Sequence, residues 1–239
     1  MGIIQTKVVK MKKANMVFFD VDTQNDFMCR EFVNEKGLTE KGALYISNAE
    51  EIIPNLELLT KYAQDNSIRI LGSVDRHFKS DPELILNGGA FPEHCMDGTY
   101  GQKKITATTP PNFKFIENME YGDDELEDIV KSGCGLYFEK QSFNTFDNPN
   151  AKKVLEILKP NVVVVYGVAT DFCLKYAALE LSAALKKNGT KIYLVEDAIK
   201  AVNINHDDGK KAIEEMLKEG IRLIKIEDVL EEKIWEKAL

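Results

Sequence analysis

Three residue types that could share one acyl-transfer step are spread along the chain: an acid at Asp22 in "FFDVDTQNDF", a cation at Lys140 closing "GLYFEK", and a thiol at Cys173 in "YGVATDFCLKYAALELSAAL". A thiolate beside an ammonium is stabilised, and a carboxylate in the same pocket can take the thiol proton and return it to a leaving amine. Cys173 falls in the first turn expected of an amphipathic helix, with Thr170 or Asp171 placed to cap it. Unpaired N–H groups and the helix dipole favour the reactive anion there. Taken singly, a small Cys at a helix start is as readily a packing residue, and a Lys at a strand end is more often a solvated charge. The coincidence of three strand ends is what makes the chemistry credible.

A second constellation lies in "SVDRHF" and "FPEHC". Asp75 and His77, two apart at a strand end, point the same way if the extended conformation persists, and His94 lies in a Pro-containing loop able to return to them. Two imidazoles and a carboxylate make a divalent-metal site with positions left open for water or substrate. The third histidine, His206 in "NINHDDG", reads as a solvated loop residue.

These residues need elements to position them. Short runs rich in Val, Ile and Phe predict strands over Met16–Val21, Ile68–Val74, Gly135–Glu139, Val162–Gly167, Lys191–Glu196 and Ile221–Ile226. Helical patterns separate most of them: Ile53–Asp65, Asp123–Lys131, Ala151–Leu158, Asp171–Lys187, Asp208–Glu219 and Asp228–Lys237. The alternation predicts an α/β fold in three layers, a doubly wound sheet of about six mainly parallel strands with helices on both faces. Ligands bind such sheets beyond the carboxyl ends of the strands, where Asp22, Asp75, Lys140 and the segment to Cys173 fall. Two long irregular tracts, Thr23–Ser47 and Phe78–Asn118, are too long for idle connections and are expected to build the site.

The length of 239 residues suits a single domain over 1–239, with 1–14 as an N-terminal extension. A net charge of −8 offers no basic surface suited to nucleic acid. The opening "MGIIQTKVVKMKK" lacks the apolar core of a secretory signal, and no run is long enough to span a bilayer, so a cytoplasmic protein without membrane partners is expected. Cys29, Cys95 and Cys134 form no paired spacing with each other or with Cys173, and read as structural.

The pieces "DTQNDF", "GALYISNAEEIIPNL", "DRH", "FPEHCMDGTYG", "EKQSF" and "YGVATDFC" follow one another in an order that resembles the isochorismatase-like cysteine hydrolases, and among them the nicotinamidases. The resemblance covers about two thirds of the chain and implies the isochorismatase-like hydrolase fold. It implies Asp22, Lys140 and Cys173 as a catalytic triad. The peptide Val168–Ala169 would be cis, with the N–H groups of Ala169 and Cys173 forming an oxyanion hole. It further implies Asp75, His77 and His94 as ligands of one divalent metal, zinc first and iron or manganese next, with Glu83 available as a further ligand. The metal would receive the pyridine nitrogen and so orient the ring. Phe27, Phe91 and Phe143 become aromatic walls for a small amide, although each could equally be a core residue. Family members commonly assemble as dimers or tetramers.

The implied reaction is hydrolysis of nicotinamide to nicotinate and ammonia through a cysteine thioester. Arg76 stands where these enzymes usually carry an aromatic residue, which is expected to alter the rim. Relatives acting on other amides or ureides often lack the Asp75, His77 and His94 set, and a non-catalytic relative usually loses a triad residue. A haloacid-dehalogenase-like phosphatase also ends a strand in D-x-D, with "GDD" at 122–124 imitating its magnesium-binding acids, but Gln24 stands where that motif needs Thr or Val. Outside that D-x-D reading Asp20 has no role, and Asp26 is expected to hold the loop that places Phe27.

Overall fold

The computed structural model describes residues 15–231. The expected extension over 1–14 and the final residues of the expected last helix lie outside that range. Strand β1 (Met16–Val21) is buried at every position, which requires partners on both edges and cover on both faces. It has them: β4 (Arg69–Asp75) lies on one side and β7 (Val162–Val168) on the other, both parallel. With β5 (Phe113–Ile116), β6 (Gly135–Lys140), β8 (Lys191–Lys200) and β9 (Arg222–Ile224) the sheet has seven strands in the order β5-β6-β4-β1-β7-β8-β9. A short antiparallel hairpin, β2 (Glu31–Val33) and β3 (Thr39–Lys41), stands apart from it.

Helices cover both faces, so the three-layer α/β expectation holds. Odd positions of β1 (Val17, Phe19, Val21) share one apolar core with α3 (Asp123–Lys131), α4 (Asn150–Leu158), α5 (Cys173–Leu185) and α6 (Asp208–Lys218). Even positions Met16 and Phe18 face α2 (Ile53–Asp65), α7 (Ile226–Leu230) and the single turn α1 (Asn25–Met28). This division is the period-2 alternation of a strand buried on both sides. Six strands were expected in the main sheet, and among the described residues it has seven. The seventh, β5, is a four-residue edge strand with a mostly exposed pattern, too short to show a period inside the irregular tract that contains it.

Gly167 is the point in β7 where a side chain could not be placed. Its φ is +112°, and a Cβ there would come within 2.2 Å of the Val21 carbonyl oxygen. The register against β8 shifts between Val165 and Gly167, which lets the strand run on to the turn before Cys173. Among the described residues no helix is long and apolar enough to cross a membrane.

Asp20, unexplained from sequence, has a structural role. Its carboxylate is fully buried and accepts from Lys104 Nζ at 2.7 Å and from Thr23 Oγ1 at 2.9 Å. The Lys104 ammonium also lies 4.3 Å from the centre of the Tyr137 ring. Asp20 and Asp22 have the same strand parity, yet they serve different places. Asp22 takes a left-handed conformation, φ +48°, which ends the alternation and frees its side chain from the face that holds Asp20. The Asp20–Lys104 pair therefore ties the loop before β5 to the central strand, and the D-x-D phosphatase reading loses its first acid. "GDD" loses its part too, since Gly122–Asp124 start α3 with exposed acids. Removing one partner of a buried pair strands the other charge, so Lys104→Met is expected to cost about 3–5 kcal/mol in urea unfolding. Asp20→Leu combined with Lys104→Met should recover most of that loss. A single variant as stable as wild type would contradict this account.

Candidate active site

Four adjacent strands deliver the site. Along the carboxyl edge of the sheet the order is β6, β4, β1, β7, ending in Lys140, Asp75, Asp22 just past β1, and Ala169 just past β7. Asp75 and Lys140 are register partners, so their contact is built into the ladder. Lys140 is fully buried. Its Nζ lies 2.8 Å from Asp22 Oδ2, hydrogen-bonds to Asp75 Oδ1, and stands 3.4 Å from Cys173 Sγ. Ser73 Oγ donates to the other Asp22 oxygen at 2.7 Å. Burial alone would lower the Lys140 ammonium, but Asp22 and Asp75 more than reverse that and hold it well above its ordinary value. Burial raises the Asp22 carboxyl, against the opposing pull of Lys140.

The turn before Cys173 differs from expectation in two respects. Neither Thr170 nor Asp171 caps α5. Phe172 occupies the cap position without a side-chain bond, and the Asp171 carboxylate reaches across to accept from the N–H groups of Val202 and Asn203 at 2.9 and 2.8 Å. Nor does the surrounding site favour the anion. Burial pushes Cys173 well above its usual range, and although Lys140 pulls it down, Asp22 and Asp75 push it further up. A carboxyl that burial also raises stands beside it. The Val168–Ala169 peptide is cis. The Ala169 carbonyl accepts from Phe172 and Leu174, while among the described backbone bonds the Ala169 and Cys173 N–H groups donate to nothing.

Asp75 serves a second group with its other oxygen. Asp75 Oδ2 is 3.9 Å from His77 Nε2 and 3.9 Å from His94 Nε2, with Glu83 Oε1 4.0 Å from the latter. Both rings are aimed from behind: His77 Nδ1 lies 3.1 Å from Asp81 Oδ2, and His94 Nδ1 lies 2.8 Å from the Pro92 carbonyl. The inward His77 Nε2 is a buried polar atom with no partner. Two imidazole nitrogens, one of them orphaned, with one or two carboxylates fit a divalent ion of the zinc, iron or manganese kind.

The irregular tracts hold this arrangement together. Gln24 acts as a peptide group in side-chain form: it accepts from Asp75 N at 2.7 Å and donates to Asp75 O at 2.7 Å and Gln102 O at 2.6 Å. His77 is clamped beside the His94 loop by His77 N to Cys95 O, 3.0 Å, and Asp97 N to His77 O, 2.8 Å. Asp26 accepts from Cys95 N at 2.7 Å and Ala43 N at 3.1 Å, the structural role expected of it. Phe27, Phe91 and Phe143 all line one cavity of about 410 Å³, together with Asp22, Asp75, Glu83, His94 and Cys173. Arg76 does not reach it. Its guanidinium turns away to Asp97 and Glu139, 2.8 Å from each, so the expected change at the rim does not occur through this residue.

Sequence reasoning passed over Ser73, Gln24 and Asp81. Ser73 had a signal, a hydroxyl inside an otherwise apolar buried strand, which must find a partner. Asp81 had none beyond standing four residues after His77.

The family model for the isochorismatase domain matches residues 16–228. The chain belongs to the isochorismatase family. Among its relatives, a nicotinamidase of Acinetobacter baylyi is 26% identical over 93% of this chain and 98% of its own length. A nicotinamidase of Escherichia coli is 23% identical over 91% and 95%. The crystal structure of a pyrazinamidase of Pyrococcus horikoshii in complex with zinc superposes with a TM-score of 0.67, at 22% identity, over 88% of this chain and 99% of that one. Within this isochorismatase fold, Asp81 acts on the inward nitrogen of His77 from behind, orienting the ring and raising its basicity. Asp81→Ala is expected to weaken zinc binding about 10–100-fold in competition with a chromophoric chelator. Unchanged affinity would show that the His77 ring needs no such support.

Proposed function

We propose that the chain is a metal-dependent amidase that hydrolyses nicotinamide to nicotinate and ammonia through a thioester on Cys173. What carries the reading is that members of both residue groups, Asp22 and Cys173 beside Lys140 and Asp75 and His94 beside His77, line one aromatic-walled cavity. Asp22 takes the Cys173 proton as the sulfur attacks the amide carbon, so one negative charge passes from the carboxylate to the reacting atoms, and Lys140, beside both, keeps it close to an ammonium throughout. The N–H groups of Ala169 and Cys173 receive the developing oxyanion. Asp22 then gives its proton to the departing nitrogen, and ammonia leaves. Water attacks the thioester, Asp22 takes one of its protons and passes it to the sulfur as the C–S bond breaks, and the acid that carries the other proton is released and ionises in solvent.

Asp75, His77 and His94, with Glu83 at hand, would hold the divalent ion, whose chemistry here is to give a ring nitrogen a Lewis-acid partner and so fix the ring's orientation. Phe27, Phe91 and Phe143 supply faces and edges for that ring.

Ammonia release from nicotinamide, pyrazinamide, benzamide and a ureide tests this directly. Cys173→Ala is expected to lower nicotinamide turnover on the order of 10³-fold or more. Turnover of the ureide with none of nicotinamide would sink the substrate while sparing the cysteine mechanism. Stripping the metal with a chelator should suppress nicotinamide hydrolysis, and zinc should restore it. Full activity after verified metal loss would remove the metal from the scheme.

A further inference from the structure

The cavity is larger and more apolar at its open end than a single ring with a carboxamide requires. A cavity of roughly 150 Å³ accommodates benzene, and a carboxamide adds three heavy atoms, whereas this cavity measures about 410 Å³. Of its polar residues, Asp22, Asp75, His94 and Cys173 are all less than a tenth exposed, Glu83 is half-buried beside His94, and the Tyr45 hydroxyl is turned to Glu50. The other end is lined by Leu44, Phe172, Val202 and Ile204, of which Val202 is 40% and Ile204 71% exposed. Single exposed apolar residues need no explanation. Here two fall on one short loop, and both line the cavity mouth.

That loop is held in place. It leaves β8 at Lys200, whose carbonyl accepts from Thr170 N at 2.9 Å, and its Val202 and Asn203 N–H groups are bound by Asp171. Asn203 Oδ1 in turn accepts from Gly209 N at 2.8 Å, fixing the far side. The turn that presents the Cys173 sulfur therefore also positions the rim. Among the described residues no Lys or Arg side chain lines the cavity. Lys200, nearest in sequence, points its ammonium at Glu51, 2.7 Å away.

We propose that Leu44, Phe172, Val202 and Ile204 form an outer subsite that selects aromatic carboxamides bearing an uncharged, apolar substituent on the ring. The inference rests on the cavity being the carboxamide site. A methylene that leaves water against these side chains gains about fourfold in kcat/KM, so a propyl group reaching two of them gains tenfold or more. A carboxylate at the same place finds no cation and must shed its hydration against apolar surface, which disfavours it.

The test compares nicotinamide with analogues carrying a propyl group at ring carbon 5 or 6, and with the matching carboxyethyl compounds, on the metal-loaded protein. The better propyl compound should exceed nicotinamide at least tenfold in kcat/KM and its carboxyethyl counterpart by more. The double variant Val202→Ser with Ile204→Ser should bring the propyl-to-nicotinamide ratio close to one, chiefly through KM. A ratio at or below one in wild type, or a ratio the variant leaves alone, overturns the proposal. Should wild type release ammonia from none of these compounds, the proposed reaction fails and calorimetry decides the subsite. Tighter binding of a propyl compound that the double variant abolishes upholds it, and equal or absent binding of both compounds overturns it.

Discussion

A lysine ammonium with no exposure to solvent is the constraint around which this molecule is arranged. Taking Lys140 out of water costs several kcal/mol, and the cost is tolerable only if opposite charges reach it with good geometry. Two do, from the neighbouring strands β4 and β1, because parallel register sets Asp75 directly beside Lys140 and a left-handed residue turns Asp22 toward it. Each carboxylate then has one oxygen left to place. Ser73 takes that of Asp22, and the His77 and His94 pair faces that of Asp75. A candidate metal-ligand set and the Cys173 thiol thus end up sharing one ion-pair cluster.

That cluster also decides the state of the sulfur. A helix start favours an anion by about 0.3–1 kcal/mol, while burial can move a titratable group by several pKa units. Reasoning from the helix alone leads to a resting thiolate. Burial and two nearby carboxylates push the Cys173 thiol up against the pull of the ammonium. The carboxylates that make Lys140 tolerable therefore also raise the sulfur beside it.

The strand ends were legible because a buried parallel strand is a continuous apolar run, and whatever polar residue follows it must be at the sheet's edge. Asp22, Asp75, Lys140 and Cys173 were all found in that way, and His94 by its kind and its loop. What escaped depends on contacts distant in the chain. Asp20 was left unassigned because its partner Lys104 is 84 residues away, and Gln24 gave no sign of bridging to a strand 51 residues on. The start of α5 was misplaced because Asp171 resembles a helix cap locally, while its actual partners, Val202 and Asn203, lie past another strand. Strand β5 was lost for a different reason: four residues on an exposed edge carry too little pattern.

Asp26 joins segments that a reader of the chain would treat as separate loops. Its carboxylate binds the backbone at Ala43 and Cys95, its backbone N–H donates to Gly101 and its carbonyl accepts from Leu44, and Gly101 packs flush against the carboxylate where any Cβ would collide. Those segments carry Phe27, Leu44 and His94, three different walls of the cavity. One side chain therefore makes them a single cooperative unit: the walls cannot fray one at a time without first breaking shared bonds. Opening of one of these walls therefore strains the other two, which ties traffic through the mouth to the region as a whole and not to the breathing of individual loops.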